Sequence, residues 1–174
     1  EQLKTQGGKV NGILGDISKS EQIDSAISTI FERSWQLDYL VANLGSGRSQ
    51  AGWDIEIEEW RRMFDLNFFS AVELCTKAAR KMDAGAISLI GSIAGCESIG
   101  DPIPYQAAKT ALNSFMKAFS DKLAPEGSRV NSISPGNVMF EGGVWDKKVK
   151  ENSEEIKAYI DGQVPMQKFI TPED

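Results

Sequence analysis

A serine, a tyrosine and a lysine stand close together in the stretch from Gly91 to Lys109. Tyr105 and Lys109 are four positions apart, so on a helix their side chains share one face, one turn apart. An ammonium group beside a phenol favours the phenolate, which predicts that the pKa of Tyr105 falls from about 10 towards neutral pH. A tyrosine in that state can act as a general acid or base. Ser92 lies thirteen positions before Tyr105, and its hydroxyl can hydrogen-bond a substrate carbonyl or alkoxide.

The amino-acid composition limits the kinds of reaction and of partner that this chain can have. The chain of 174 residues contains no histidine, which excludes histidine-based triads and disfavours zinc catalysis. Its net charge of −6 argues against a nucleic-acid partner, and it has no apolar run long enough for a membrane span. Cys75 and Cys96 are isolated, which is typical of a reducing compartment and indicates no metal site. We therefore expect a cytoplasmic protein without a metal, whose chemistry uses Tyr, Lys, Ser, Asn or carboxylates.

The apolar pattern predicts a single α/β domain over residues 1–174, with a parallel sheet built from βα units. Strands are predicted at Lys9–Gly15, Leu37–Ala42, Ala86–Ile90 and Val130–Ser134, the second of them buried on both sides. Helices are predicted before Gly7-Gly8, from an N-cap at Ser18 to about Trp35, and over Glu56–Met82, Tyr105–Leu123 and roughly Asp146–Asp161.

Ligands of such a sheet bind beyond the carboxyl ends of its strands, and four strand ends carry notable residues. Asp16 is either a turn former or a partner for an adenine amino group. The glycine-rich turn from Asn43 to Gly47 lets a ligand approach the backbone closely. Ser92 follows the third strand. After the fourth, the backbone of Pro135 to Val138 forms either an ordinary turn or a site for a carboxamide such as that of nicotinamide.

Two further features have two interpretations each. Asn67 lies in the middle of a largely apolar helix, where asparagine is locally unfavourable. It either holds the helix by a buried hydrogen bond or anchors a water that relays protons to Lys109, and both can be true. Residues 137–168 contain an apolar set that is either a minor core or a lid over the substrate, with Phe140 and Trp145 as candidate substrate contacts.

The stretch from Gly91 to Lys109 resembles the active site of the short-chain dehydrogenase/reductase family, whose Ser, Tyr and Lys have this spacing. The resemblance covers essentially the whole chain, and within the family it is greatest to the 3-oxoacyl-[acyl-carrier-protein] reductases. It also rests on Asp16, on the turn Ala42-Asn43-Leu44-Gly45, on Asn67 and on Pro135-Gly136. The resemblance implies a Rossmann-type, doubly wound parallel sheet of three layers, α/β/α, of which this chain supplies only part.

The resemblance also implies roles for individual residues. Tyr105 would exchange a proton with the substrate oxygen, and Ser92 would orient the carbonyl. Lys109 would lower the pKa of Tyr105 and bind the nicotinamide ribose, while Asn67 would hold the water of a proton relay. The remaining cofactor contacts would come from Asp16, Asn43, Gly45, Pro135, Gly136 and Val138.

One expected motif is missing from the sequence. The glycine-rich phosphate loop of the family, T-G-x-x-x-G-x-G, does not occur. The residues Thr171-Pro172-Glu173-Asp174 also have the pattern of a helix N-terminus. We therefore expect a fragment of a longer chain, with the strand at 9–15 separated from the next by a gap of two strands.

The function that this resemblance implies is an NAD- or NADP-dependent oxidoreductase that interconverts a ketone and a secondary alcohol. Its partners would be a small carbonyl or alcohol substrate and further copies of itself, as a homodimer or homotetramer, with no nucleic acid and no membrane. The alternative is a non-catalytic Rossmann-type binding or scaffold protein, or an inactive fragment. Neither the choice between NAD and NADP nor the substrate can be read from the sequence.

Overall fold

The structure, a computed structural model, describes residue 7, residues 9–32 and residues 36–174. Its helices are α1 (Ser20–Glu32), α2 (Ile57–Phe64), α3 (Ser70–Ala79), α4 (Ile103–Leu123), α5 (Val144–Glu151) and α6 (Ser153–Gln163). A π-helix, Asp65–Phe69, joins α2 to α3, and 3₁₀ turns lie at Ile93–Gly95 and Ala124–Glu126. The strands are β1 (Tyr39–Ala42), β2 (Ala86–Ile90) and β3 (Arg129–Ile133).

The three strands form one parallel sheet in the order β1-β2-β3. In this register Leu40 lies beside Ile87, and Ile87 beside Val130, so one row of apolar side chains crosses the sheet. The strands and helices alternate along the chain, which confirms the predicted α/β architecture.

The core lies between this sheet and the helices on one of its faces. Ile87, Leu89 and Val130 pack there against Cys75 of α3 and Leu112 of α4. Successive strand residues point to opposite faces, and on the other face Tyr39 is 73 % exposed and Val41 64 % exposed. The prediction that β1 is buried on both sides was therefore wrong for the described residues, whose helices α1, α3 and α4 cover one face only.

The predicted strand at Lys9–Gly15 was also wrong. These residues form no strand and are exposed, since no strand in the described part of the chain lies beside them to pair with their backbone. The helix predicted before Gly7-Gly8 and the residues just before Trp35 lie outside the described residues. α1 begins at Ser20, two residues after the predicted N-cap, because the Ser18 side chain donates a hydrogen bond to Asp16 Oδ1 (2.7 Å) instead of capping the helix.

The long helix predicted over Glu56–Met82 is present as α2, the π-helix and α3, ending at Ala79. The π-helix contains the fully buried Asn67, whose amide donates to Met63 O at 3.0 Å. π-helical turns occur mostly as single bulges inside α-helices, and often at functional sites. The polar residue Asn67, which interrupts the apolar pattern of this helix, therefore lies where the helix changes from α to π geometry.

The C-terminal part forms a separate lobe beyond the sheet. A parallel bridge between Val138 and Ile170 closes the segment between them into a loop. Within it, Trp145 stacks on Tyr159 with ring centroids 5.4 Å apart and contacts Phe169 at 4.7 Å. The helix predicted over Asp146–Asp161 is two helices, because Asn152 leaves helical geometry and its side chain caps α6 by accepting from Glu155 N (3.2 Å).

Candidate functional site

The loop that carries Ser92 begins where β2 ends and packs directly on α4. Ser92 caps the 3₁₀ turn, with its hydroxyl accepting a hydrogen bond from Ala94 N at 3.2 Å. Gly95 lies so close to α4 that a Cβ there would be 2.8 Å from the Lys109 carbonyl. The side chains of Thr110 and Asn113 donate to Gly95 O at 3.2 and 3.3 Å. This packing fixes the serine loop against the helix that bears Tyr105 and Lys109.

Tyr105 lies in the first turn of α4 and is half-buried. Burial raises its pKa, the nearby Ser92 hydroxyl lowers it, and the negative charge of Asp101 raises it. The effect of Ser92 on this pKa indicates that the structure brings the two predicted hydroxyls near one another. The loop after β1 passes the other side of the phenol, where a Cβ on Gly47 would meet the ring at 3.8 Å.

Lys109 lies one turn further along α4 and is 4 % exposed. Its Nζ donates to Ile90 O at 2.9 Å and to Leu44 O at 3.4 Å, which ties α4 to the carboxyl ends of β2 and β1. Burial lowers the pKa of this amine to about 8. An ammonium has three N–H donors, and one is left without a protein acceptor among the described residues.

The predicted lowering of the Tyr105 pKa by Lys109 was wrong for this structure. The pKa of Tyr105 is raised, chiefly by burial. Lys109 Nζ lies 6.0 Å from the centre of the phenol ring and is directed at two backbone carbonyls. Desolvation also disfavours the positive charge of the amine itself, so the ammonium is a weaker stabiliser of the phenolate than the spacing alone suggested.

Asn67 anchors the loop after β1. Its Oδ1 accepts from Ser46 N at 3.0 Å, and its Nδ2 donates to Ser46 O at 3.2 Å. Gly45 has a φ of +122°, which a residue with a side chain rarely adopts, and a Cβ there would overlap Asn67 Oδ1. The structure therefore bears out the buried hydrogen-bonding interpretation of Asn67, while the water relay stays a prediction.

Apart from Asp16, the other predicted cofactor residues are distributed around the same edge of the sheet. Pro135 O accepts from Ile93 N at 3.1 Å, and Gly136 faces the Ile93 side chain, so this turn adjoins the serine loop. Asn43 is exposed directly after β1, and Val138 takes part in the bridge to Ile170. Asp16 accepts two hydrogen bonds from Ser18, at 3.0 and 2.7 Å, which favours its interpretation as a turn former.

Two neighbouring cavities, which share Ile99, Asn137 and Tyr159 in their walls, lie between the serine loop and the C-terminal lobe. The larger, about 640 Å³, is lined mainly by apolar side chains, among them Ile93, Met166 and Phe169. The smaller, about 390 Å³, has Asp101 and Trp145 in its wall. Trp145 borders this cavity and packs on Tyr159 and Phe169, whereas Phe140 is 52 % exposed beside the turn that Gly143 N closes on Phe140 O. The lid interpretation of this segment stays a prediction.

Two features of the site were missed by the sequence reasoning. Asp101 acts electrostatically on Tyr105, and its position four residues before the tyrosine was a usable signal. Glu59 and Arg62 bind the loop after β1 from α2, and their spacing suggests only a local ion pair.

Among the residues described, no cluster of three or more His, Cys, Asp or Glu side chains suits a metal ion. None of the helices described is sufficiently long and apolar to cross a bilayer.

Comparison with known proteins identifies the family. A family model described as short chain dehydrogenase matches residues 1–150. The chain belongs to this family. Among its relatives is dehydrogenase/reductase SDR family member 4 of Mus musculus. The two are 28 % identical over an alignment of 179 positions, gaps included, which covers 99 % of this chain and 62 % of the mouse protein. Another is the 3-oxoacyl-[acyl-carrier-protein] reductase FabG of Chlamydia muridarum, 29 % identical over 97 % of this chain and 66 % of that protein.

A solved short-chain dehydrogenase shares the fold. The 7α-hydroxysteroid dehydrogenase complexed with NADH and 7-oxo glycochenodeoxycholic acid superimposes with a TM-score of 0.86 at 23 % identity, over 99 % of this chain and 66 % of that one. The Rossmann-type parallel sheet predicted from the sequence is thereby confirmed. The chain spans somewhat less than two thirds of the length of these two relatives.

Proposed function

We propose that this protein is an NAD- or NADP-dependent oxidoreductase that interconverts a ketone and a secondary alcohol. The observation that carries the proposal is the convergence of the Ser92 and Tyr105 hydroxyls with the buried Lys109 amine at the carboxyl edge of the sheet. Membership of the short-chain dehydrogenase family supports it, since dependence on a nicotinamide cofactor is general to that family.

The donor set fits the nicotinamide half of such a cofactor. The unused N–H of Lys109 and the Tyr105 hydroxyl suit the hydroxyls of a ribose. The backbone after β3, at the exposed Gly136 and the half-buried Val138, suits a carboxamide. On the β1 side, the backbone of Asn43 and Gly45 is exposed and would line the adenosine ribose. When bound, the cofactor supplies or accepts the hydride.

The side chains of this protein would handle the proton. Ser92 would donate a hydrogen bond to the substrate oxygen and so orient it for the phenol. Tyr105 would give its hydroxyl proton to that oxygen in reduction and take it back in oxidation. Lys109, with its pKa lowered to about 8, can change protonation near neutral pH and so resupply the proton. A water held at Asn67 would extend this path.

The substrate would enter between the serine loop and the lobe formed by residues 137–168, which would act as the lid. The lining of the larger cavity favours a molecule with an apolar portion. Trp145 would contact it from the lobe. The exposed position of Phe140 requires the lobe to move before this side chain can do so.

We expect replacement of Tyr105 by Phe to abolish nearly all turnover, because the ring keeps its packing but loses the proton that it transfers. Fluorescence titration with NADH and with NADPH measures cofactor binding in both proteins, and a panel of ketones measures reduction. The variant should bind the cofactor and melt like the wild type. Equal turnover in the two proteins would refute the role of Tyr105. Failure of the wild type to bind either nucleotide would refute the enzyme proposal for this chain and support the inactive-fragment alternative.

The protein would act as a homodimer or homotetramer. On the outer side of α2 and the π-helix, Ile57, Trp60, Phe64 and Phe69 line an apolar groove of about 310 Å³, and Phe69 is 53 % exposed. Exposed apolar grooves of this kind often mark protein contacts, and the family uses this helix and α4 in its assemblies.

A further inference from the structure

The loop at residues 43–50, which follows β1, is held from α2 by a second set of contacts, separate from those of Asn67. Glu59 Oε1 accepts from the Ser49 hydroxyl at 2.7 Å and from Gln50 N at 3.2 Å. One carboxylate oxygen thus binds two consecutive residues of the loop. The Glu59 side chain is 18 % exposed, so these hydrogen bonds are partly shielded from water.

Arg62 completes this contact. Its guanidinium meets Glu59 in a two-point ion pair, with Nε to Oε2 and Nη2 to Oε1 both at 2.7 Å. Nη2 also donates to Arg48 O at 2.8 Å. Arg62 and Ser49 together lower the pKa of Glu59 to about 2, so the carboxylate stays ionised at all working pH values. Glu59 thus binds Ser49 and Gln50 of the loop, and Arg62 binds the carbonyl of Arg48.

The held loop lies against the predicted proton-transfer residues. Leu44 O accepts from Lys109 Nζ at 3.4 Å, and Gly47 borders the Tyr105 ring. Asn67 fixes Ser46 between these two contacts. A loop released at residues 48–50 would remain attached only through Leu44 and Ser46, and the backbone after Ser46 could move away from Tyr105.

We propose that Glu59 and Arg62 are positioning residues that fix the loop at residues 43–50 in the shape that receives the adenosine side of the cofactor. The cofactor part of this inference rests on the proposed function. The chain contains a matched control in Glu58 and Arg61, which form an ion pair of the same spacing on the same helix, at 3.3 Å. Their side chains are 73 % and 68 % exposed.

Hydrogen exchange of the unliganded chain tests whether the pair holds the loop. Glu59→Ala removes the acceptor of the Gln50 amide, so this amide should exchange about tenfold faster or more. Glu58→Ala should leave the rate within about twofold. Glu59→Gln keeps one amide oxygen as an acceptor and should restore part of the protection. Equal exchange in wild type and Glu59→Ala would overturn the inference.

Nucleotide binding tests the functional part. We expect Glu59→Ala to raise the dissociation constant for the preferred nucleotide about fivefold or more and kcat to change much less, whereas Glu58→Ala should alter neither. Unchanged affinity with a loosened loop would overturn the cofactor role of the pair. Failure of the wild type to bind nucleotide would overturn the proposed function and this role with it, but the exchange result would still decide whether the pair holds the loop. Should Glu59→Ala fail to fold, Ser49→Ala removes one contact from the loop side and should give a smaller acceleration of the same kind.

Discussion

The buried amine of Lys109 makes the stability of this protein depend on pH in a way that can be calculated. Burial lowers its pKa from 10.5 to about 8 in the folded chain, while the unfolded chain keeps the ordinary value. Between these two values the unfolded state binds a proton that the folded state does not, so the free energy of unfolding rises with pH. Each pH unit in this window adds about 1.4 kcal/mol, and the full window adds about 3 kcal/mol.

Lys109→Met isolates this contribution, because methionine is also long and unbranched but does not titrate. Urea unfolding followed by circular dichroism at pH 7 and pH 9 measures both proteins. The stability of the wild type relative to the variant should increase by about 1.3 kcal/mol between these pH values. The variant also loses the hydrogen bonds to Ile90 O and Leu44 O, but this loss lowers its stability equally at the two pH values. Burial raises the pKa of the Cys75 thiol to about 12, which destabilises both proteins at alkaline pH and cancels in the difference.

Lys122→Met, at an exposed site on the same helix, measures the effect of losing one positive charge without touching the buried amine. A wild-type advantage that stays constant from pH 7 to pH 9 would refute the argument, because it would mean that Lys109 titrates alike in the folded and unfolded chains. The same result would remove the reason to expect Lys109 to exchange a proton near neutral pH.

Two further predictions concern the surroundings of the site and the outer surface of α2. Asp101→Asn removes a negative charge that, after burial, raises the pKa of Tyr105. The rise of kcat/KM with pH for alcohol oxidation should therefore move to lower pH, and a profile unchanged from wild type would contradict this electrostatic coupling. Phe69→Glu places a charge in the apolar groove of α2 and should lower the molar mass measured by light scattering towards that of one chain, whereas Lys157→Glu, at an exposed site on α6, should not. An assembly unaffected by Phe69→Glu would exclude this groove as the interface.

The apolar pattern of the sequence was enough to predict those strands that also have a neighbouring strand to pair with. The runs around Val41, Ile87 and Val130 were predicted as strands and pair with one another. The run at 9–15 also contains Val10, Ile13 and Leu14, but among the described residues no strand lies beside it. Strands depend on hydrogen bonds that no local pattern reveals. Exposure of one face of β1 has the same origin, since burial depends on what packs against the strand.

The site was predictable to the extent that it is local. The spacing of Ser92, Tyr105 and Lys109 predicted that they lie near one another, and Ser92 lies close enough to Tyr105 to influence its pKa. The pKa of Tyr105 was not predictable, because it depends on burial and on where Lys109 directs its amine. The contacts of Glu59 with Ser49 and Gln50 were missed for a similar reason, since they join a helix to a loop that only the folded chain brings together.

The bridge between Val138 and Ile170 brings the two ends of the C-terminal lobe together. Met139 N donates to Ile170 O at 2.7 Å, and Ile170 N donates to Asn137 O at 3.2 Å, so both ends of the lobe are fastened at one point beside β3. The entropy of closing a loop grows only slowly with its length. Residues can therefore be inserted, removed or exchanged inside this lobe at little cost to the sheet. Such a division would let the choice of substrate evolve independently of the predicted proton-transfer residues, which lie on α4 and on the loop after β2, outside the fastened segment.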